Sequence, residues 1–163
     1  MTALAFRNVD ASPGDPVEEW PLEAIQTCLE RGSLTYWRRL AAAIQAEPWG
    51  SVARRVEEVL TYSRPYGVAP FMERIIARAR QSAEASEREE VAAEVQRLVD
   101  ASGLSRAEFA AKIGTSASRL STYATGKVTP SAALLVRMRN VSASTRYRAM
   151  STGDPPHSVS PMS

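Results

Sequence analysis

The sequence predicts an all-α protein, in which a long helix joins a small N-terminal helical bundle to a second small helical domain. Three observations support this prediction. Residues 22–62 carry apolar side chains at helical spacing in three stretches, which Gly and Pro separate. Residues 71–102 contain no glycine or proline and are rich in Ala, Glu and Arg, which favour helices. Residues 105–124 then have the pattern of two short helices with a glycine between them.

The composition limits the classes of function. The chain has 163 residues, enough for one ordinary domain or two small ones, and no apolar run long enough to cross a bilayer. The only cysteine is Cys28 and the only histidine is His157, and there is no Gly-rich phosphate loop. We therefore expect a cytoplasmic protein that has no signal peptide, metal, cofactor or enzyme activity.

We expect residues 1–16 to form a flexible arm, because they contain Ser, Pro and Gly and show little periodicity. Residues 17–80 are the predicted N-terminal domain for interaction or dimerisation, with helices at about 22–31, 34–46 and 51–62. Cys28 lies on the apolar stripe of the first helix and is interpreted as a core residue, whereas Arg38 and Arg39 are expected to face outward.

Five aromatic residues give the N-terminal domain a large apolar area. Most of this area is expected in the core, and a surface groove for a partner is the alternative. The five residues are Trp20, Trp37, Trp49, Tyr62 and Tyr66.

Residues 70–102 are expected to form one long helix, or two halves with a bend near 82–86, and a flexible linker is the alternative. The middle of this stretch is polar on all sides, which is typical of a helix that passes through solvent. Residues 81–94 would be the linking part, and the far end would be the first helix of a second domain at 95–144.

The second domain contains two short helices with recognisable ends. Ser105 and Ser116 can each cap a helix start, and Gly114 and Gly126 can each end one by adopting a left-handed conformation. The residues expected to face inward are Phe109, Ala110, Ile113, Leu120 and Tyr123. Two short helices that meet at a small residue and a glycine turn predict a helix-turn-helix.

This stretch resembles the Cro/phage-repressor helix-turn-helix family, often called Xre-like, over about residues 95–141. The matching positions are Leu104-Ser105, Phe109-Ala110, Ile113-Gly114, Leu120, Gly126-Lys127 and Pro130-Ser131. The resemblance implies a DNA-binding domain whose second helix lies in the major groove. The alternative is a similar bundle that binds no DNA.

We expect a further helix at about 131–140. The family usually has one more helix after it. Residues 141–144 give little sign of it. We expect residues 145–163 to be first basic and then disordered.

Charge is distributed unevenly along the chain. Residues 1–102 carry a net charge of −4, whereas residues 103–150 carry +7, with Glu108 as their only acid. A basic segment that coincides with a helix-turn-helix is typical of a module that binds phosphate. A solvated basic face is the alternative.

The resemblance also implies a set of DNA-contacting residues. The base-facing residues would be Ala117, Ser118, Ser121 and Thr122. The residues that position the phosphate chain would be Ser105, Arg106, Ser116, Arg119, Thr125 and Lys127. Two positions depart from the family pattern: Arg106 replaces a frequent glutamine, and Ala124 replaces a frequent buried acid.

The sequence therefore predicts a sequence-specific DNA-binding transcriptional regulator, most simply a repressor that acts as a homodimer. The alternative is an antitoxin that binds its toxin through the N-terminal domain and represses its own operon. A ligand sensor in the aromatic bundle is a third possibility.

Overall fold

The computed structural model describes residues 3–153, which form seven α-helices, a 3-10 turn at Val17–Glu19 and no strand. The all-α prediction is confirmed. The helices are α1 (Leu22–Arg31), α2 (Leu34–Ala46), α3 (Ser51–Tyr62), α4 (Val68–Ser102), α5 (Arg106–Ile113), α6 (Ala117–Ala124) and α7 (Ala132–Ser151). In this range no helix combines the length and the apolar character that a membrane span requires.

The chain divides into two compact units, Met1–Ala85 and Ser86–Ser163. The division falls within the predicted linking part of the long helix. Helix α4 runs without a break from Val68 to Ser102, which is the first of the two forms expected for this stretch. Its first part contributes Met72 and Ile76 to the core of the first unit, and its last part contributes to the core of the second.

The core of the first unit is formed by the inward faces of α1, α2, α3 and the start of α4. Its largest fully buried side chain is Trp20, whose indole N–H donates to the Asp15 carbonyl at 3.1 Å. Cys28 is fully buried in this core, as predicted, and burial raises the pKa of its thiol to about 12. A thiol in this environment stays protonated at neutral pH and is a poor nucleophile.

The prediction of a flexible arm at residues 1–16 is wrong for the part that the structure describes. Leu4, Phe6 and Val9 pack against the core of the first unit, and the Phe6 ring meets the Trp20 ring edge-on at 5.0 Å. The Arg39 guanidinium donates to the carbonyls of Pro13 and Asp15. These contacts join residues far apart in sequence, so local periodicity gave no sign of them.

The expectation that most of the aromatic residues lie in the core is also wrong. Trp20 is buried and Trp37 is half-buried, but the exposed fractions of Trp49, Tyr62 and Tyr66 are 46%, 55% and 104%. The three exposed residues lie in turns or at a helix end, where no neighbouring helix covers them.

Arg39, which was expected to face outward, instead lies half-buried. Its guanidinium sits over the Trp20 ring at 5.1 Å from the centroid. Stacking on the ring face stabilises the cation and covers the aromatic surface.

Helix α7 is longer than predicted. It continues to Ser151 instead of ending near Asn140, so residues 141–151 are helical rather than a loop and a basic tail. The Thr145 hydroxyl donates to the Val141 carbonyl at 2.9 Å, and no glycine or proline interrupts this stretch. Residues 154–163, the rest of the predicted disordered tail, lie outside the described residues.

The packed N-terminal segment makes a prediction about stability. Replacing Phe6 with Ala should lower the free energy of unfolding by about 1–3 kcal/mol, because the ring loses its contact with the core. Urea unfolding followed by tryptophan fluorescence measures this, with the exposed Arg7→Ala variant as control. Equal stability of Phe6→Ala and Arg7→Ala would show that the segment is not anchored.

Candidate nucleic-acid interface

A small core in the second unit holds α5, α6 and α7 in place. The fully buried residues at its centre are Phe109 and Ile113 from α5, Leu120 from α6 and Met138 from α7. Ala110, 1% exposed, lies where α5 packs against its neighbours. The inward positions predicted from helical spacing are thus buried, Tyr123 included.

Helix α5 begins with a complete capping box. The Ser105 hydroxyl accepts from the Glu108 backbone N–H at 3.2 Å, and the Ser105 backbone N–H donates to the Glu108 carboxylate at 2.9 Å. The hydrogen bond from this backbone N–H holds the pKa of Glu108 below its ordinary value. Two backbone donors that the helix leaves free are thereby satisfied.

The turn between α5 and α6 depends on Gly114, which has a φ of 78°. In this left-handed conformation the Thr115 N–H reaches the Ala110 carbonyl at 2.9 Å and closes the end of α5. The Arg137 guanidinium donates to the Ile113 carbonyl at 2.9 Å. From the sequence, Arg137 could be assigned only to the basic segment. Its contact with Ile113 joins residues that are 24 positions apart, and such a contact leaves no local pattern.

Helix α6 is closed at both ends. The Ser116 hydroxyl accepts from the Arg119 backbone N–H at 3.2 Å, and Gly126 follows the helix with a φ of 75°. The Gln96 side-chain amide donates to the Ala124 carbonyl at 2.6 Å. Gln96 was missing from the sequence-based set, because it lies on α4 and meets α6 only in the folded chain.

The proposed base-facing residues of α6 differ in exposure. Ala117 and Ser118 are exposed, whereas Ser121 and Thr122 are half-buried. The Thr122 hydroxyl donates to the Arg119 carbonyl at 2.7 Å, so its methyl group and the two lone pairs of its oxygen remain for other contacts.

The proposed phosphate-contacting residues are all exposed. Among the described residues, Arg106, Arg119 and Lys127 form no ion pair with a carboxylate. Because Ser116 accepts a hydrogen bond, its own hydroxyl proton stays available. The Thr125 hydroxyl donates to the Ser121 carbonyl at 3.0 Å and would have to leave it to reach a phosphate.

Two other cations of the basic segment have structural partners. Arg137 closes the end of α5, and Arg139 pairs with Glu94 at 2.7 Å. This pair lowers the pKa of Glu94, with the hydrogen bond from Arg139 as the main cause. Among the described residues, the cations of this segment without a carboxylate partner lie in two places. Arg106, Lys112, Arg119 and Lys127 lie on or next to α5 and α6, and Arg137, Arg146 and Arg148 lie on α7.

The described residues contain no group of three or more His, Cys, Asp or Glu side chains that could hold a metal ion. The exposed residues of α6 and the cations Arg106, Arg119 and Lys127 offer hydrogen-bond donors, positive charge and small apolar groups to solvent. Such a surface can bind a polyanion by hydrogen bonds and charge.

Residues 90–146, about a third of the chain, match a family model described as a helix-turn-helix domain. This match confirms the helix-turn-helix family suggested by the sequence for that part of the chain. No curated protein and no solved structure shows significant similarity to the chain.

The capping box predicts a pH dependence of stability. Because the folded-state pKa of Glu108 is lowered, its contribution is present above its ordinary pKa of 4.5 and is lost as the pH falls. The Glu108→Gln side chain keeps an oxygen that can accept the hydrogen bond from the Ser105 backbone N–H, but an amide does not titrate in this pH range. Between neutral pH and about pH 3, wild-type stability in urea should therefore fall more steeply than that of Glu108→Gln. Parallel curves for the two proteins would show that the box does not form.

Proposed function

We propose that this chain, whose residues 90–146 are a helix-turn-helix domain, is a sequence-specific DNA-binding transcriptional regulator that represses as a dimer. The proposal is carried by the burial of one side of α6, the exposure of the other side and the charges around it. Its inward side is fixed by the core, its outward side is open, and the cations around it lack carboxylate partners among the described residues.

The cations supply the general affinity for DNA. Arg119 lies on the first turn of α6, Lys127 follows its end, and Arg106 opens α5. In this proposal their positive charge lies beside the open side of α6. Each such cation that neutralises a phosphate releases a counterion from the duplex. In this proposal these contacts set the position and orientation of α6 on the double helix.

The side chains on the open side of α6 supply the base readout. Ala117 and the Thr122 methyl group fit a thymine methyl, and the Ser118 hydroxyl can donate to or accept from a base edge. Their short length lets the α6 backbone approach the base pairs closely. Short hydroxyls discriminate bases less sharply than Arg or Asn, so in this proposal Arg119 contributes to readout as well.

Two copies are needed for a specific site. One module of this size buries roughly 600–1,000 Å² on DNA, which supports only modest specificity. A dimer would present two α6 helices to half-sites about 34 Å apart, one turn of the double helix. Occupancy of such an operator is enough to block transcription, so repression requires no further activity.

Removal of the flanking cations tests the DNA-binding proposal. Arg119→Ala and Lys127→Ala should each weaken binding to duplex DNA and each reduce the slope of log K against log salt by about 1. Fluorescence anisotropy with a labelled duplex at several salt concentrations measures both quantities. Arg54→Ala, which removes an exposed and unpaired cation from α3, is the matched control and should change neither. Unchanged affinity and slope for both test variants would reject this docking.

A second candidate is an antitoxin that also represses its own operon. The observation in its favour is that the first unit exposes four large aromatic side chains, Trp49, Tyr62, Tyr66 and Phe71. Exposed aromatic residues are common at protein–protein contacts, because they bury a large area with little loss of side-chain freedom. In this candidate the first unit binds a toxin and the second unit binds DNA.

Co-purification tests this candidate. The tagged full-length chain, co-expressed with the product of the neighbouring reading frame, should yield a stoichiometric complex if that product is its toxin. Tyr66→Ser combined with Trp49→Ser should weaken the complex by roughly tenfold or more, because aromatic residues often dominate binding energy. Arg38→Ser, an exposed change on α2, should leave it intact. Recovery of the chain alone would reject the candidate.

A further inference from the structure

Helix α7 carries a second ordered set of residues on the side away from its core. These residues follow one another at alternating spacings of three and four, and all of them are exposed: Ala133, Val136, Asn140, Ala143, Tyr147 and Met150. The exposed fractions of Val136, Tyr147 and Met150 are 50%, 75% and 78%. We call these six residues the outer seam.

The spacing of the outer seam is that of a coiled coil. Alternating steps of three and four average 3.5 residues, which keeps one stripe facing a partner helix along its whole length. In heptad notation Ala133, Asn140 and Tyr147 occupy a positions, and Val136, Ala143 and Met150 occupy d positions. The core of the second unit uses other positions of α7, among them Leu134, Met138 and Val141.

We infer that the outer seam pairs with the outer seam of a second copy of this chain, in parallel and in register. This inference rests on the proposed function for its purpose, which is to hold two α6 helices on one duplex. Asn140 is the first argument for self-pairing. A lone asparagine at an a position can bond to its own counterpart only when the two helices are parallel and aligned.

Charge beside the seam is the second argument. In a parallel pair each g position faces the e position five residues later in the partner. Arg139 then faces Ser144, and Arg146 faces Ser151, so no two cations meet. In an antiparallel pair g positions face g positions, which would bring Arg146 of one copy against Arg139 of the other. The ion pair of Arg139 with Glu94 weakens this repulsion, but neither cation would gain a favourable partner in that orientation.

The length of the seam defines how strong this pairing can be. From Ala133 to Met150 it is about 26 Å long at 1.5 Å per residue. Such a strip buries less than the roughly 800 Å² per partner of a standard stable interface. The dimer is therefore weak in free solution and becomes strong when both copies bind one duplex, since the DNA raises their effective concentration.

Cysteine cross-linking tests the pairing on the full-length protein. The native Cys28 is fully buried and its pKa is raised to about 12, so an introduced exposed cysteine reacts first. Ala133→Cys and Met150→Cys place a thiol at the two ends of the seam. Under mild oxidation, with and without duplex DNA, each variant should form a disulfide-linked dimer with itself. Ala149→Cys, exposed on α7 but outside the seam, is the matched control and should remain monomeric.

The alternatives give different results. Antiparallel pairing would link Ala133→Cys to Met150→Cys in a mixture and neither variant to itself. A different protein as occupant, or an unpaired seam, would leave both variants monomeric. Either result would overturn the inference.

A variant with a negative charge in the outer seam tests the pairing separately from DNA binding. Tyr147→Asp changes a residue that is 75% exposed, so the fold of one copy should be unaffected. The variant should weaken self-association on DNA by ~30-fold, which corresponds to the loss of one hot-spot residue. The slope of log K against log salt, counted per bound copy, should equal that of the wild type. Cross-linking without duplex binding would reject only the DNA-binding function. Salt-dependent duplex binding without cross-linking would reject only the pairing.

Discussion

The second unit depends on burial of one side of α6. An isolated helix of eight residues is unstable in water, because nucleation costs more than so few hydrogen bonds return. Leu120, Tyr123 and Ala124 are buried against the core that Phe109 and Ile113 complete, and this burial makes α6 helical. The same packing fixes which side of α6 is left open, so stability and the proposed binding surface have one cause.

The ends of the helices keep that surface in place. Ser105, Ser116 and Ser131 each accept a hydrogen bond from the first turn of the following helix, and glycines in left-handed conformations close α5 and α6. Arg137 and Gln96 add contacts from α7 and α4 to the same two helices. Arg139 is paired with Glu94, whereas Arg106, Arg119 and Lys127 form no ion pair among the described residues. In this account the outer seam of α7 gives the same unit a surface for self-pairing in addition to its basic surface.

Helix bounds from α1 to α6 could be predicted because their signals are local. Caps, glycines and proline breaks act within four residues, and the apolar spacing identified the buried sides. The packed N-terminal segment, the exposed Trp49 and the contacts of Gln96 could not be predicted, because each depends on residues distant in sequence. The extension of α7 was missed for another reason. Its Ser and Thr residues suggest a loop, but here Thr145 bonds back to the preceding turn and the helix continues. The base-facing set comes from the resemblance and stays a prediction.

The central claim is that the open side of α6 enters the major groove. The most direct test is an NMR titration of the ¹⁵N-labelled full-length protein with duplex DNA. The account predicts that the largest shift changes and line broadening fall on Ser105, Arg106, the residues 116–122 and Lys127, with the residues of α1 to α3 nearly unchanged. Changes concentrated in α1 to α3, or no change at α6 under conditions where the duplex binds, would contradict it.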